Sequence, residues 1–235
     1  NGLHFERHHN GVPQVNPQNH QLLIHGAVKN QLIFDMASLM RYPMTSGLHF
    51  IECGGNSNAA WRDEPIQTFA GYFHGMASCS EWTGIPLSIL LNEAKLKKDA
   101  KWMIAEGADA SVMNISIPLE KAMDDCMIAI YQNGERIRPE NGYPLRLIVP
   151  GWEGVVNVKW LRRLHLSNRP AMSRNETSKY TELLPSGKAR QFSFVMEAKC
   201  LITNPSYGYK LDKPGFYQIS GLAWSGRGKI SKVEV

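Results

Sequence analysis

The chain has 235 residues, 43% of them hydrophobic, enough for one large domain or one domain and part of another. Lys and Arg number 26 against 21 Asp and Glu, a formal net charge of +5, which favours an anionic ligand, substrate or partner. No apolar run reaches the roughly 18 residues of a membrane span, and the scattered cations carry no RNA-recognition signature, zinc-finger spacing or basic heptad, so neither a spanning helix nor a nucleic-acid module is expected.

In chain order, residues 1–19 are polar and read as irregular, apart from a short extended piece at Leu3-His4-Phe5; Arg7, His8 and His9 form a basic cluster there. The opening on Asn1 rather than Met is read as a processed or trimmed N-terminus, which leaves export open. Leu22-Leu23-Ile24 reads as a strand ended by Gly26, and Asp35 as the N-cap of a short helix through Met40. The apolar run His49 to Glu52 reads as a strand ending on Cys53, followed by Gly54, Gly55 and Asn56. Glycines there let the backbone turn sharply and approach whatever the sulfur touches. Asn56 to Ala70 is a long polar loop, and Pro86 introduces a helix from Leu87 to Ala94. Trp102 to Ile104 is a short strand leading to Asp109, and Ser116-Ile117-Pro118 begins a second short helix through Met123. Met127 to Tyr131, Asn133-Gly134 and Arg136-Ile137 give a hairpin signal. Leu145 to Val149 is a strand closed by Pro150-Gly151, and Val155 to Leu166 another; residues 167–191 form a surface excursion. Phe192 to Ile202 is extended, Pro205 to Pro214 a linker, and Phe216 to Ala223 and Ile230 to Val235 the first strands of an all-β unit. Strands and short helices alternate without a βαβ period, so the fold class is α+β.

The four cysteines, Cys53, Cys79, Cys126 and Cys200, form no C-x-x-C pair and match no zinc spacing. A disulfide stays open. The usual nucleotide and metalloprotease motifs are absent, so any cofactor is an uncommon one. Cys53 alone stands at a strand end beside bare backbone. Cys79, in Ser78-Cys79-Ser80, has no glycine directly after it and a helix soon follows; Cys126 and Cys200 read as core.

Several stretches together resemble the sulfite oxidase family of molybdopterin enzymes. Phe5-Glu6-Arg7-His8-His9 is similar to its F-x-R-N-H segment, and Cys53-Gly54-Gly55-Asn56 to the C-A-G-N segment that carries the molybdenum-ligating cysteine. Ser116 to Asp124 resembles S-I-P-L-x-x-A-M-D, and Asn141 to Arg146 with Val149-Pro150-Gly151 resembles H-G-F-P-x-R and V-P-G. Val158-Lys159-Trp160-Leu161 resembles V-K-W-L, and Gly221 to Gly226 the G-x-A-W-S-G opening of the family's immunoglobulin-like dimerisation domain. The resemblance implies a Mo-molybdopterin cofactor held by Arg7, His8, His9, Cys53, Asp109, Arg146, Val158 and Lys159, with Cys53 on the metal and Lys159 and Arg146 as cations for the pterin phosphate. It implies Arg7 facing the substrate oxyanion and Tyr180 as the active-site tyrosine. It divides the chain into a molybdopterin-binding catalytic domain over 1–198 and the start of an immunoglobulin-like β-sandwich over 199–235. The chemistry agrees: soft thiolate sulfur suits molybdenum, and Arg and Lys suit a phosphate.

Departures from the pattern narrow the branch. Ser57 and Asn58 stand where the sulfite oxidases place two arginines, Asn141 and Asn157 where they place histidines, and Tyr72 near an expected active-site tryptophan. A pocket with fewer cations suits a larger or less charged sulfur substrate than sulfite. The pattern is closer to the molybdenum sulfane dehydrogenase branch of bacterial thiosulfate-oxidising systems. That branch implies a periplasmic enzyme taking carrier-bound sulfane sulfur or sulfite, with water as oxygen source, a c-type cytochrome as electron acceptor and an oligomeric full-length form. The alternatives weighed beside it are a methionine sulfoxide reductase-like molybdoenzyme, a hydrolase using Cys53 with a histidine, and a non-enzymatic basic binding module.

Overall fold

A computed structural model describes residues 1–64 and 66–235; of the expected loop from Asn56 to Ala70, Pro65 lies outside the described residues. The first strand, β1 (Gln21–Gly26), is followed by β2 (Leu32–Asp35) and the single-turn α1 (Met36–Leu39), whose N-cap Asp35 accepts a 2.7 Å bond from the Ser38 amide. β3 (Thr45–Glu52) delivers Cys53 at its end, and a 3₁₀ turn over Asn58–Trp61 and the short α2 (Ala70–His74) lead to the long β4 (Ala77–Pro86). α3 (Leu87–Ala94) follows directly and buries Leu87, Leu90, Leu91 and Ala94, the single stripe of an amphipathic helix. Next come β5 (Trp102–Gly107), β6 (Asn114–Pro118), α4 (Leu119–Asp124) and β7 (Met127–Gln132). Asn133 and Gly134 both have positive φ, 50° and 78°, the backbone of a tight hairpin turn into β8 (Glu135–Arg136). After β9 (Arg146–Ile148) and β10 (Leu161–Ser167) come α5 (Arg174–Ser178), the hairpin of β11 (Thr181–Leu183) and β12 (Ala189–Gln191), and the pair β13 (Lys199–Asn204) and β14 (Ser220–Trp224).

Two five-stranded sheets organise these elements. One runs β2-β1-β10-β5-β6, with β1 and β10 parallel and the other pairs antiparallel; the other runs β3-β4-β7-β8, with β9 also on β7. The main core lies between them and takes Leu22, Ile24, Met103, Ile117, Ile128, Ile130, Leu147 and Leu164 with the apolar faces of α3 and α4. β7 is buried on both faces: Ile128 and Ile130 enter that core, while Met127 and Ala129 join Ile51, Trp82, Ile137 and Ile148 in a second cluster capped by Phe5. Because side chains alternate along a strand, β9 sends Leu147 to the main core and Arg146 and Ile148 to the second face. The candidate site is built there.

Several expected elements differ. Leu3-His4-Phe5 forms no strand; His4 is instead buried and Phe5 packs on the second cluster. β2 and β4 occupy stretches with no expected strand. Ser116-Ile117-Pro118 is the end of β6, paired through Ile117 with Met103, and the helix starts after Pro118. The expected strand over 155–166 begins only at Leu161, because Gly154–Val156 makes a 3₁₀ turn and Trp160 has φ +50°. Phe192 and Phe194 also have positive φ, so the extended stretch shrinks to β13. No strand forms over Ile230 to Val235.

Candidate active site

The turn after β3 is fixed from several sides. The Cys53 amide donates to the Met76 carbonyl at 3.0 Å, and the Asn56 amide to the Cys53 carbonyl at 2.8 Å. The buried Asn56 side chain accepts from the Met76 amide at 3.0 Å and donates to Glu52 at 3.0 Å. A Cβ on Gly54 would make ordinary contact with the Glu153 carboxylate at 3.4 Å, and one on Gly55 with the Cys53 sulfur at 3.8 Å. Cys53 is half-buried, and all four cysteines are free. Cys126 lies in the core, where burial pushes its thiol up to about 12. Cys79 is exposed on β4 and does not line the clefts described below; Cys200 is exposed on β13 rather than in the core.

Two cations, Arg146 and Lys159, have no carboxylate partner among the described residues. Arg146 is buried, 5.2 Å over the Trp82 ring, and donates to the Asn157 and Asn141 carbonyls at 3.3 and 3.0 Å. Among the described residues it forms no ion pair, and burial pulls its guanidinium down to about 9. Lys159 donates to the Arg7 and Glu140 carbonyls at 3.2 and 3.0 Å and meets His8 Nδ1 at 2.6 Å. Burial first, then the charge of Arg146, lowers its ammonium to about 7. Gly142, at φ +116°, lies so close to Lys159 that a Cβ would approach its side chain to 3.0 Å. His4, behind this group, is lowered to about 3 by burial and by the charges of Arg146 and Lys159. Asp109 shapes the loop after β5, accepting from the Met113 amide at 2.9 Å and from the Ser111 hydroxyl.

On the outer side, the Tyr180 hydroxyl and His9 Nε2 stand 3.3 Å apart. Burial pushes the Tyr180 phenol up to about 12; negative charge at Cys53 and Glu153 pushes the same way, and Arg7 opposes it. His9 is lowered by burial and by Arg7. Glu153 accepts from the Ser193 hydroxyl at 2.9 Å, and burial raises its carboxyl.

All nine residues singled out in the sequence, Arg7, His8, His9, Cys53, Asp109, Arg146, Val158, Lys159 and Tyr180, line one cleft. Phe5, Ile51, Met113, Asn141 and Trp160 are among the other residues of its wall. Sequence reading gave Met113 no role; nothing local marks it, since it arrives through the fold of the 109–113 turn. Trp160 was legible as the neighbour of Lys159. Arg7, His9, Cys53 and Tyr180 also line an adjoining wider cleft with Asn58, Glu153, Arg174 and Lys179. Tyr72 is exposed on α2 and lines neither cleft, so it does not take the place of an active-site tryptophan; Ser57 turns to His74 at 2.6 Å.

These residues fit an anionic, phosphate-bearing cofactor with a soft metal. Buried cations that face carbonyls, an imidazole and the rings of Trp82 and Trp160 are costly unless an anion completes them. The Asn141 Oδ1 is buried and unpartnered in the same wall, and buried polar atoms are normally bonded. The free Cys53 lines the same cleft.

Residues 9–175 match the family described as the oxidoreductase molybdopterin binding domain. The crystal structure of the sulfane dehydrogenase SoxCD from Paracoccus pantotrophus superimposes with a TM-score of 0.92 at 47% identity, over 97% of this chain and 59% of that one. The mitochondrial sulfite oxidase of Drosophila melanogaster is 30% identical over the whole chain and 44% of its own length. An NADH nitrate reductase of Ulva prolifera is 28% identical over 99% of the chain and 30% of its own. The chain thus spans less than half the length of these curated relatives.

Proposed function

The chain belongs to the oxidoreductase molybdopterin-binding domain family, and from that premise we propose that it carries the catalytic site of a molybdenum oxidoreductase that oxidises sulfur. We take sulfane sulfur on a carrier protein, ahead of free sulfite, as the substrate. Water is the oxygen source, a c-type cytochrome the electron acceptor, and the periplasm the compartment. Residues 1–198 form the catalytic domain, and the β13–β14 pair opens the immunoglobulin-like unit through which the full-length protein associates. Among the described residues no helix is long and apolar enough to cross a membrane.

When bound, molybdopterin supplies a molybdenum centre able to exchange two electrons. The chain's residues do the rest. Cys53 would hold the metal through its thiolate. Arg146 and Lys159, with His8 beside Lys159, would hold the phosphate, whose charge would offset the cost of burying the two cations. Tyr180, protonated across the working pH range, donates a hydrogen bond into the cleft it shares with Cys53, and Arg7 attracts the developing oxyanion.

The observation that carries the choice of substrate is the pair of uncharged side chains on the turn beside Cys53: Asn58 lines the outer cleft without a charge, and Ser57 turns to His74. The cations of that cleft, Arg7, Arg174 and Lys179, lie on other segments and share it with Glu153 and Glu182. Each missing charge-assisted bond costs about 1.5–3 kcal/mol, roughly tenfold or more in affinity. A small dianion such as sulfite depends on those charges, whereas a carrier-bound sulfane brings binding energy from its own surface. Steady-state oxidation of sulfite and of a carrier-bound sulfane, each with cytochrome c as acceptor, tests this. Turnover with the carrier far above that with sulfite is expected. Efficient sulfite oxidation with none from the carrier would restore a plain sulfite dehydrogenase.

A further inference from the structure

Glu52, the last residue of β3, is fully buried immediately before Cys53. Its carboxylate is held by three donors. Asn56 Nδ2 and Lys199 Nζ reach Oε1 at 3.0 and 2.6 Å, and Trp224 Nε1 reaches Oε2 at 2.6 Å. Asn56 belongs to the Cys53 turn itself. Lys199 and Trp224 come from β13 and β14, where they are cross-strand partners. One buried carboxylate thus joins the turn that carries the thiol to the C-terminal hairpin.

A second set of contacts grips the same turn through backbone. Met196 donates to the Gly151 carbonyl at 3.0 Å, and Gly226, just beyond β14, donates to the Met196 carbonyl at 2.7 Å. A Cβ on Gly151 would lie 2.3 Å from the Gly226 carbonyl oxygen, so the two strands of chain cross with no room between them. Three residues on, a Cβ on Gly154 would lie 2.9 Å from the Glu52 carbonyl oxygen and 3.3 Å from the Cys53 amide nitrogen. The segment 224–226 therefore presses the 151–154 loop onto the backbone of Cys53 while Trp224 holds the side chain of Glu52.

We propose that Lys199 and Trp224 are positioning residues for Cys53, acting through Glu52, so that the C-terminal hairpin fixes the thiol that meets the metal. The proposal rests on reading Cys53 as the metal-holding thiol, and it gives the hairpin a part in the site beyond any role in association. The donors stabilise a buried carboxylate; without one of them Glu52 keeps a cost that the turn relieves by opening toward water. Trp224→Phe keeps the ring and removes only the donor. Lys199→Met removes the charge and keeps the stem, and Lys199→Arg returns a cation.

The test is the iodoacetamide alkylation rate of Cys53 in the cofactor-free full chain, resolved by peptide mass spectrometry in a Cys200→Ser background. Cys79, exposed, controls for reagent, and Cys126, buried in the core, controls for global opening. Trp224→Phe and Lys199→Met should each raise the Cys53 rate about tenfold, as loss of one charge-assisted hydrogen bond implies, with Cys126 unchanged and Lys199→Arg close to the parent. A Cys53 rate that stays put, or that rises only in step with Cys126, overturns the proposal. Should Trp224→Phe not fold, the Lys199 pair decides, since that side chain is partly exposed. Molybdenum content of the same variants is read separately. A chain that never binds molybdenum refutes the functional reading and leaves the alkylation result standing.

Discussion

Tyr180 stands where the two clefts meet, with its hydroxyl 3.3 Å from His9 and its phenol pushed up to about 12. A phenol so far from deprotonation serves as a donor at any working pH. Tyr180→Phe should therefore lower kcat/KM by about tenfold or more, the scale of one hydrogen bond to a charged partner, with cofactor content unchanged. The pH profile of the parent should show no limb from this residue between pH 7 and 10, and a limb there that disappears in Tyr180→Phe would contradict the assignment. At this scale much was legible in the sequence. Cys53, Arg146 and Lys159 sit in short strings that resemble the family's motifs, and the resemblance rather than the local pattern marks them. Less legible were the uncharged braces. Asn157 accepts from the Val149 amide at 2.8 Å and donates to the Glu153 carbonyl at 3.0 Å, a role that depends on two loops meeting and leaves no local pattern.

Tyr180 is carried by the excursion between β10 and β13, and one side chain ties that excursion down. Glu176, buried in α5, accepts from the Ser116 amide of β6 at 2.6 Å and from the Ser173 amide at 2.7 Å. Glu176→Ala leaves the buried Ser116 amide unpaired, at about 1–3 kcal/mol, and frees the half-buried Ser173 amide. Hydrogen exchange over residues 168–192 should quicken while the core strands β7 and β10 keep their protection; unchanged exchange in the excursion would show that α5 is held by other contacts. The same polar contacts explain which elements the sequence concealed. β4 alternates as a strand should, with Ser80, Trp82 and Gly84 buried and Cys79 and Glu81 exposed. Two of its three inward positions are not apolar, however. Ser80 is satisfied by Gln132 at 3.0 Å, and a Cβ on Gly84 would lie 2.1 Å from the Ile128 carbonyl oxygen. β6 is masked likewise, since buried Ser116 is paired with the Ala171 amide at 2.8 Å. β7 and α3 were readable because packing alone decides them.

For the whole molecule, folding and anion binding are linked through the buried cations. The Lys159 ammonium titrates near 7 in the folded chain against about 10.4 unfolded. Between those values the unfolded chain binds the extra proton, so stability rises as pH rises through the window; below about 7 the penalty is fully developed. Arg146, at about 9, extends the trend upward. His4, near 3 against about 6.5 unfolded, adds a lower window in which stability falls as pH falls. A bound phosphate favours the charged form of Lys159 and removes its part of the slope. The Tm of cofactor-free protein should thus climb from pH 7 to 9, and that of loaded protein should stay nearly level and higher throughout. Arg146→Met separates the two effects. It removes an uncompensated buried charge and with it the bonds to the Asn141 and Asn157 carbonyls, which offset each other, so cofactor-free protein should hold its stability, while cofactor retention after desalting falls sharply and falls further with added salt. Thermal melts and molybdenum analysis on one preparation decide it. Full retention by Arg146→Met, or a cofactor-free variant less stable than the parent, would mean that Arg146 is held for the fold rather than for the anion.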